Sequence, residues 1–494
     1  MSIAKKAANG FAQFLGRNML SKVMGLGAMV ILARELSPHD FGIVSITQVL
    51  LVIIASFATT GISEFLLSYQ KKDVDTIFQA TFWFNLALTT VVSILALIIL
   101  PFWTDTYKDE RIYELGILVV ISFIFMQLKM TPKTYLSKNL EFSKQIKVES
   151  IFIIIVPILK VAAVLTGFGV YSLVLPTVIM LPIETFFLYR AAGFKIKFNL
   201  YVERWLEIFR FTKHLIGSSI LGMASSEGDK LIIGKFVSLE ALGIYNLAYQ
   251  LANFFSTNVV GVTTNILSAT LPKLRHDMPQ LRERYFQFLK SIFIAVGPLL
   301  ILFALGASEL LNVVYGNKWD AAVLPLQILI VYAFFRALTS SYGSIMNTMH
   351  LPRKSLIMNA FYTPCHIIGS LIGVQFGVIG LAASVTIVKL IFVQWGILQS
   401  MEAIGLKFAS FYQKLARFFV MAIIAILSTL VVKLFLVHQF ENKWLVLCLT
   451  SVSFAFFFWG AQRQFNKVGM MTISDFLGKM NVKLQLYFNK VFVA

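Results

Sequence analysis

Fourteen long apolar stretches restrict this chain to a helical fold that crosses a membrane. An apolar run of about eighteen residues is long enough to span a bilayer as an α-helix, which satisfies its own backbone hydrogen bonds. The composition agrees, since 58% of the 494 residues are hydrophobic and only 14% are charged. We therefore predict an all-α integral membrane protein with about fourteen transmembrane helices. The predicted spans cover residues 14–33, 40–66, 76–100, 113–135, 148–168, 170–190, 208–233, 239–267, 286–305, 321–349, 355–376, 378–401, 416–437 and 444–462.

A motif that occurs twice, about two hundred residues apart, indicates two similar halves. The segment Ala33–Val44 aligns with part of Gly228–Gln250, so that Ser37 corresponds to Ser238 and Gly42 to Gly243. Transporters often contain such repeats, with the substrate site between them. The predicted organisation is a six-helix lobe at 1–190, a cytoplasmic linker at 191–207, a second six-helix lobe at 208–401, two further helices at 402–462 and a basic tail at 463–494. We expect the tail to form an amphipathic helix on the membrane, with a frayed tail as the alternative.

The net charge of +19 reflects membrane topology rather than nucleic-acid binding. Basic residues concentrate in alternate loops, for example at 133–147, 190–213 and 273–284. This alternation follows the positive-inside rule and predicts that both termini are cytoplasmic. The sequence contains no phosphate-binding P-loop and no H-E-x-x-H or C-x-x-C motif, so we expect no cofactor, no metal site and no enzymatic activity.

Amides and hydroxyls line one face of the eighth predicted span. Asn246, Gln250 and Asn253 are spaced by four and three residues, which places them on one side of a helix. Asn18 and Lys22 have the same spacing on the first span. Such groups either hydrogen-bond neighbouring helices or line a polar cavity, and we expect a cavity wall.

Basic residues outnumber acidic ones within the predicted spans. Lys160 and Lys389 fall near the middle of their spans, where each needs an acidic partner, such as Glu184 for Lys160, or a hydrated cavity. Lys22 and Arg336 add to the excess. Structural ion pairs are one interpretation. We expect instead a cationic chamber that attracts an anionic substrate, such as a lipid phosphate or an acidic glycan.

Five segments spread over most of the chain match a known family. They are LARELSPHDFG (Leu32–Gly42), LEF (Leu140–Phe142), LIIGKFVSLEALGIYNLAYQL (Leu231–Leu251), LPKL (Leu271–Leu274) and VYGNKWDAAVLPLQIL (Val314–Leu329). With these segments the chain resembles the Wzx-type flippases, the polysaccharide-transporter branch of the multidrug/oligosaccharidyl-lipid/polysaccharide exporter superfamily, and especially the WzxC-like exporters associated with colanic acid. Lys160 and Lys389 lie outside the matching pattern.

The resemblance implies two pseudo-symmetric six-helix lobes plus two C-terminal helices, with alternating access to a central cavity. It implies export of undecaprenyl-diphosphate-linked oligosaccharide repeat units across the bacterial inner membrane for surface polysaccharide synthesis, with membrane lipids and polysaccharide polymerase machinery as partners. Since related transporters use ion gradients, Asp229 or Glu227 is expected to couple H⁺ or Na⁺. The residues expected to bind pyrophosphate, acidic sugars or sugar hydroxyls are Lys22, Arg336, Lys160, Lys389, Asn246, Gln250, Asn253 and Asn18.

Two other functions fit a many-helix chain without an ATP site. A cation-coupled multidrug exporter of the same superfamily is the nearer alternative, although cationic drugs favour acidic and aromatic cavities. A polysaccharide polymerase or ligase is the alternative from a different class, but such enzymes carry a large outer-face loop, and no predicted loop here exceeds about twenty-five residues.

Overall fold

The computed structural model describes residues 3–58, 61–70 and 73–465, and the described chain is built of α-helices joined by short turns. Most of the predicted tail, from residue 466 onward, lies outside the described residues. In the first half of the chain the helices are α1 (Ile3–Glu35), α2 (Pro38–Ala58), α3 (Ile62–Ser68), α4 (Val74–Tyr107), α5 (Arg111–Leu128), α6 (Met130–Lys138), α7 (Phe142–Leu165), α8 (Leu175–Ala192) and α9 (Trp205–Phe236). In the second half they are α10 (Leu239–Thr270), α11 (Met278–Ala295), α12 (Gly297–Leu305), α13 (Ala307–Leu310), α14 (Val323–Thr339), α15 (Tyr342–Thr348), α16 (Pro352–Gly373), α17 (Gly377–Ala403), α18 (Ala409–Gln439) and α19 (Lys443–Phe465).

The predicted all-α membrane fold is confirmed. Within the described residues, each of the fourteen predicted spans coincides with a single helix or with consecutive helical segments, such as α5 and α6 for residues 113–135. Within the described residues, nine helical stretches are long and apolar enough to cross a membrane by length and composition. Large apolar side chains such as Ile98, Ile155 and Leu427 stay exposed on these helices. This is the surface expected of a protein whose solvent is lipid.

The two copies of the repeated motif fold in the same way. Helix α1 ends at Glu35 and α2 begins at Pro38, and 201 residues later α9 ends at Phe236 and α10 begins at Leu239. A serine caps each second helix. The backbone N–H of Asp40 donates to Ser37 Oγ (3.2 Å), and the backbone N–H of Ala241 donates to Ser238 Oγ (3.0 Å). Serine at this position satisfies a helix N–H group that has no other partner within the helix.

The first turns of α2 and α10 touch through their backbones at two glycines. A Cβ atom on Gly42 would lie 1.8 Å from the carbonyl oxygen of Leu239, and a Cβ on Gly243 would lie 1.8 Å from that of Pro38. Gly42 and Gly243 are equivalent in the repeat, as are Pro38 and Leu239, so the contact is reciprocal. The repeat predicted from the sequence is confirmed at this crossing.

The chain divides into two compact units, Met1–Asn246 and Leu247–Ala494, and the boundary falls within α10. In the first unit α1 packs against α7, α2 against α9 and α4 against α5, around apolar clusters that include Leu50, Leu100 and Phe123. In the second unit α14 and α16 pack against α17, and α18 packs against α19. The six-helix lobes at 1–190 and 208–401 remain a prediction from the sequence.

Candidate functional site

Three basic and two acidic side chains from α1, α7, α8 and the α5–α6 region come together in the first unit. Glu149 forms ion pairs with Arg17 and with Lys133, whose Nζ lies 3.1 Å from Glu149 Oε1. Lys129 Nζ lies 3.1 Å from Glu184 Oε2, and Lys133 is within electrostatic range of both groups. The five side chains therefore carry an excess of one positive charge.

The pairing of Lys160 with Glu184, which was one of two alternatives for Lys160, does not occur. Because α5 packs against α8, Lys129 at the end of α5 reaches Glu184 instead. Helix α7 begins at Phe142 and ends at Leu165, so Lys160 lies five residues from its end rather than near the middle. Lys160 is partly exposed and has no ion pair within the described residues. A lysine near a helix end can extend its charge toward the interface.

The two candidates on α1 have different surroundings. Asn18 is half-buried and accepts a hydrogen bond from Arg17 (Nη2–Oδ1 3.2 Å), which ties it to the charged cluster. Lys22 is exposed, and no ion pair to it occurs in the described part of the chain. Lys22 is therefore available to an anion from outside the protein.

Asp229 on α9 is a buried carboxylate without a cationic partner among the described residues. Its exposed fraction is 1%. It accepts hydrogen bonds from the Tyr245 hydroxyl and from the backbone N–H of Lys230 (2.9 Å). Glu227, by contrast, forms an ion pair with Lys230 (Nζ–Oε2 2.7 Å). Of the two predicted coupling residues, Asp229 has the surroundings in which a bound cation would replace a missing charge partner.

The predicted polar stripe on α10 is divided among three roles. Asn246 is buried and donates to Ser45 Oγ on α2 (2.6 Å), so it joins two helices at equivalent positions of the repeat. Gln250 is exposed. Asn253 is buried, and its amide donates to the Tyr249 carbonyl oxygen (2.9 Å), which leaves its own carbonyl oxygen directed at a cation.

The cation that Asn253 contacts is Arg336, in the last turn of α14 in the second unit. Arg336 Nη1 donates to Asn253 Oδ1 (2.8 Å) and to the Tyr249 hydroxyl (3.4 Å). Both partners are neutral, and Arg336 has no ion pair with a carboxylate in the part of the chain that the structure describes. The two hydrogen bonds fix the guanidinium while its positive charge stays uncompensated.

Lys389 on α17 contributes a second cation close to Arg336. Helices α14 and α17 pack together, and Arg336 acts electrostatically on Lys389. The Lys389 ammonium lies 5.0 Å from the centre of the Tyr362 ring, a cation–π geometry. No carboxylate pairs with Lys389 within the described residues. Arg336 and Lys389 thus form the candidate anion site of the second unit, with Asn253, Tyr249 and Tyr362 as its neutral supports.

Sequence reasoning did not identify the two tyrosines, Tyr249 and Tyr362, or Glu149 of the cluster in the first unit. Tyr249 is adjacent to Gln250, and Tyr362 is one of sixteen tyrosines, so neither is distinguished by residue type alone. The signal that was available is the pairing of Tyr249 and Asn253 at a spacing of four residues, which places both on one helix face. Glu149 was missed because it lies at the start of a predicted span, where an acidic residue is ordinary.

A further charged network lies at the turn between α4 and α5. Asp109 pairs with Arg111 (Nη2–Oδ2 2.8 Å) and with His39 (Nε2–Oδ2 2.9 Å), and Arg111 also reaches Asp40 (3.1 Å). Burial raises the pKa of the Asp109 carboxyl, but hydrogen bonds from Arg111 and His39 outweigh burial and hold the pKa at about 2. The network ties this turn to the first turn of α2, next to Gly42.

The arrangement is suited to binding anions and hydroxyl groups. Arginine and lysine bind phosphate or carboxylate oxygens through charge-assisted hydrogen bonds, and amide and phenol groups hydrogen-bond sugar hydroxyls. Among the described residues, no group of three or more His, Cys, Asp or Glu side chains is close enough to hold a metal ion.

Three relatives that are named for roles in polysaccharide biosynthesis or transport match the chain at low sequence identity. It is 24% identical over 312 residues to the succinoglycan biosynthesis transport protein ExoT of Rhizobium meliloti, covering 62% of each chain. It is 22% identical over 338 residues to the lipopolysaccharide biosynthesis protein WzxC of Escherichia coli, covering 65% of this chain and 66% of that protein. It is 22% identical to the teichuronic acid biosynthesis protein TuaB of Bacillus subtilis, over 49% of this chain and 50% of that protein. The chain therefore spans between half and two thirds of these relatives.

Two solved transporter structures share the fold. The inward closed conformation of the lipid II flippase MurJ superposes with a TM-score of 0.72 at 14% identity, covering 91% of this chain and 98% of MurJ. An inward-facing multidrug resistance MATE transporter of the MOP superfamily superposes with a TM-score of 0.61 at 15% identity, covering 78% of this chain and 94% of the transporter. Identity this low establishes a common fold and leaves the substrate open.

The family model supplies the assignment. A model described as polysaccharide biosynthesis protein matches residues 31–324, more than half of the chain. The matched range includes both copies of the repeated motif and the buried Asp229. The predicted resemblance to polysaccharide exporters is confirmed, and the protein is a multi-pass membrane protein that belongs to the polysaccharide biosynthesis protein family.

Proposed function

We propose that this protein is a flippase that moves undecaprenyl-diphosphate-linked oligosaccharide repeat units outward across the bacterial inner membrane. The family, the transport role in the name of the relative ExoT and the fold shared with a lipid II flippase support this proposal. The observation that carries it is the pair of uncompensated cations, Arg336 and Lys389, within a helical membrane unit. Positive charges without acidic partners are costly within a membrane span unless an anion binds there.

The diphosphate or an acidic sugar of the substrate would supply that anion. Arg336 is already oriented by Asn253 and Tyr249, so little side-chain freedom would be lost on binding a phosphate oxygen. Lys389 would approach the same anion as a point charge beside Tyr362. Lys22, which is exposed on α1, is a separate candidate for binding the substrate, and Asn18, Gln250 and Lys160 remain candidates for the glycan. Asn246 is the weakest candidate because its amide already joins α10 to α2.

Transport would proceed by alternating access, with both termini in the cytoplasm and an ion gradient as the driving force. In this proposal Asp229 takes up H⁺ or Na⁺, because it is buried with only a tyrosine hydroxyl and a backbone N–H as described partners. Glu227 is the alternative, although Lys230 already neutralises it. Transport in proteoliposomes should depend on a proton or a sodium gradient and should lose that dependence in Asp229→Asn. Equal transport with and without either gradient would rule out ion coupling.

The cellular experiment compares variants of the anion site in a strain that lacks the chromosomal gene. Arg336→Gln should abolish surface polysaccharide and cause lipid-linked repeat units to accumulate on the inner leaflet, while Arg336→Lys should keep part of the activity. Arg353→Gln is the matched control, since Arg353 is exposed at the start of α16. Protein abundance is measured in parallel. Normal polysaccharide in Arg336→Gln at normal protein abundance would contradict the proposal.

The multidrug-exporter alternative predicts a different result. Cationic drugs require carboxylates or aromatic rings for binding, whereas Arg336 and Lys389 would repel them. A deletion strain should therefore keep its drug-sensitivity profile unchanged. The polymerase or ligase alternative predicts glycan bond formation by the purified protein, and we expect none.

A further inference from the structure

The segment from Arg190 at the end of α8 to Lys213 in the first turns of α9 presents unpaired positive charges beside exposed apolar side chains. Between Arg190 and Lys213 the sequence has six basic and two acidic residues. Arg204 is used internally, because it pairs with Asp73 (2.6 Å) and Glu207 (3.3 Å). Lys195 and Lys197 are exposed and form no ion pair within the described residues. The segment therefore keeps a surplus of available cations.

Several apolar side chains of the same segment point outward. Phe198 is 91% exposed and Val202 is 55% exposed. On the first turns of α9, Leu206, Phe209, Arg210 and Lys213 recur at helical spacing and are all exposed, while Ile208 on the other side is buried. An exposed apolar surface bordered by cations is characteristic of segments that lie at the bilayer interface.

The segment is held in place by its backbone, which leaves its side chains free to bind. Gln79 on α4 donates to the Lys195 carbonyl oxygen (2.7 Å) and accepts from the Lys197 N–H (2.9 Å). The Trp83 indole donates to the Lys197 carbonyl oxygen (2.9 Å). Immobilising the backbone before binding lowers the entropy that a ligand must overcome.

The attachment points set the depth of the segment. Helix α4 has 34 residues, a length of about 51 Å, which exceeds the hydrocarbon core of about 30 Å. With α4 centred across the bilayer, about 10 Å at each end lies in the head-group region. Gln79 and Trp83 are five and nine residues from the start of α4, roughly 8 and 14 Å along its axis. Lys195 and Lys197 are thus held where phospholipid head groups meet the acyl chains.

We propose that Lys195, Lys197, Arg210 and Lys213 bind the head group of an anionic phospholipid, whose acyl chains cover the exposed apolar side chains around Phe198 and Leu206. The partner is a lipid and not a soluble phosphate, because the cations alternate with apolar groups that only acyl chains would cover. The proposal is independent of the transported substrate, since none of these residues belongs to the candidate anion site.

Native mass spectrometry of the full-length protein in detergent tests this proposal. Phosphatidylglycerol and phosphatidylcholine are titrated separately, and bound lipid is counted. Wild type should bind phosphatidylglycerol more tightly, and Lys195→Gln/Lys197→Gln should weaken that binding by about 25-fold, at roughly fivefold for each charge. Phosphatidylcholine binding should not change. The matched control is Lys147→Gln/Arg353→Gln, which removes two exposed charges elsewhere and should leave the phosphatidylglycerol affinity within twofold of wild type.

An apolar variant separates the two parts of the surface. Val202→Ser/Leu206→Ser should weaken the binding of both lipids by a similar factor, because it removes contacts with acyl chains only. Thermal midpoints are measured for all variants, and these exposed substitutions should leave them unchanged. Equal affinity of wild type for the two lipids, or equal loss of phosphatidylglycerol binding in the control variant, would overturn the proposal.

Discussion

Replacing Gly42 or Gly243 with alanine should force α2 and α10 apart and destabilise the protein. The added Cβ would lie 1.8 Å from a backbone carbonyl oxygen of the other helix, whereas ordinary contacts begin at 3.4 Å. The carbonyl would have to move by about 1.6 Å, the difference between these distances. Since both partners are backbone atoms, neither can rotate out of the way. Overpacking of this kind costs about 1–3 kcal/mol.

The thermal midpoint of the purified protein in detergent measures this effect. Gly42→Ala and Gly243→Ala should each lower the midpoint, and the double variant should lose less than the sum because one helix displacement relieves both contacts. Gly25→Ala and Gly222→Ala are the matched controls, because both are helical glycines at which an added Cβ would have no atom within 4 Å. Alanine should raise helix propensity there by up to about 1 kcal/mol. A Gly243→Ala variant as stable as Gly222→Ala would refute the backbone crossing.

Three further predictions concern charges. Folding lowers the pKa of Asp109, so the stability that Asp109 contributes is fully present above the ordinary aspartate pKa of about 3.9 and is lost as the pH falls through about 2. Asp109→Asn should remove this contribution at pH 7. The difference in thermal midpoint between the variant and wild type should vanish near pH 2. Lys433→Met should destabilise the protein by about 3–5 kcal/mol, because buried Glu309, which lies 2.8 Å from the lysine, would lose its partner. Adding Glu309→Gln should restore most of the thermal midpoint. Glu184→Gln should lower the thermal midpoint more than Lys160→Gln, since only Glu184 has an ion pair within the described residues; the opposite order would contradict the pairing.

The helices and the repeat could be predicted because their causes are local. Apolar length determines where a span can form, and a serine three residues before an unpaired helix N–H marks where it begins. Ser37 and Ser238 therefore lie at the two corners, and the alignment of the repeat paired Gly42 with Gly243. The reciprocal contact between these glycines could not be derived from the sequence, because it depends on how distant helices pack.

The cations of the candidate site could be predicted from the sequence, but the residues that contact them could not. Arg336 and Lys389 stood out because charges within apolar spans are costly. Their neutral partners did not, since Tyr249 and Tyr362 are ordinary membrane-helix residues until a cation lies beside them. Glu184 was suggested as a partner for Lys160 but pairs with Lys129 for a similar reason. Lys129 and Lys160 are both basic residues in apolar segments, and only the packing of α5 against α8 decides between them.

The central claim is that this chain moves a lipid-linked diphosphate glycan through contacts with Arg336 and Lys389. The direct measurement is translocation of a short-chain polyprenyl-diphosphate oligosaccharide into proteoliposomes, with an ion gradient imposed and the internalised glycan quantified. Wild type and the Arg353→Gln control should translocate the substrate, and Arg336→Gln/Lys389→Gln should reduce the rate to that of empty liposomes. Translocation by the double variant at the wild-type rate, or no translocation by wild type under any imposed gradient, would contradict the account.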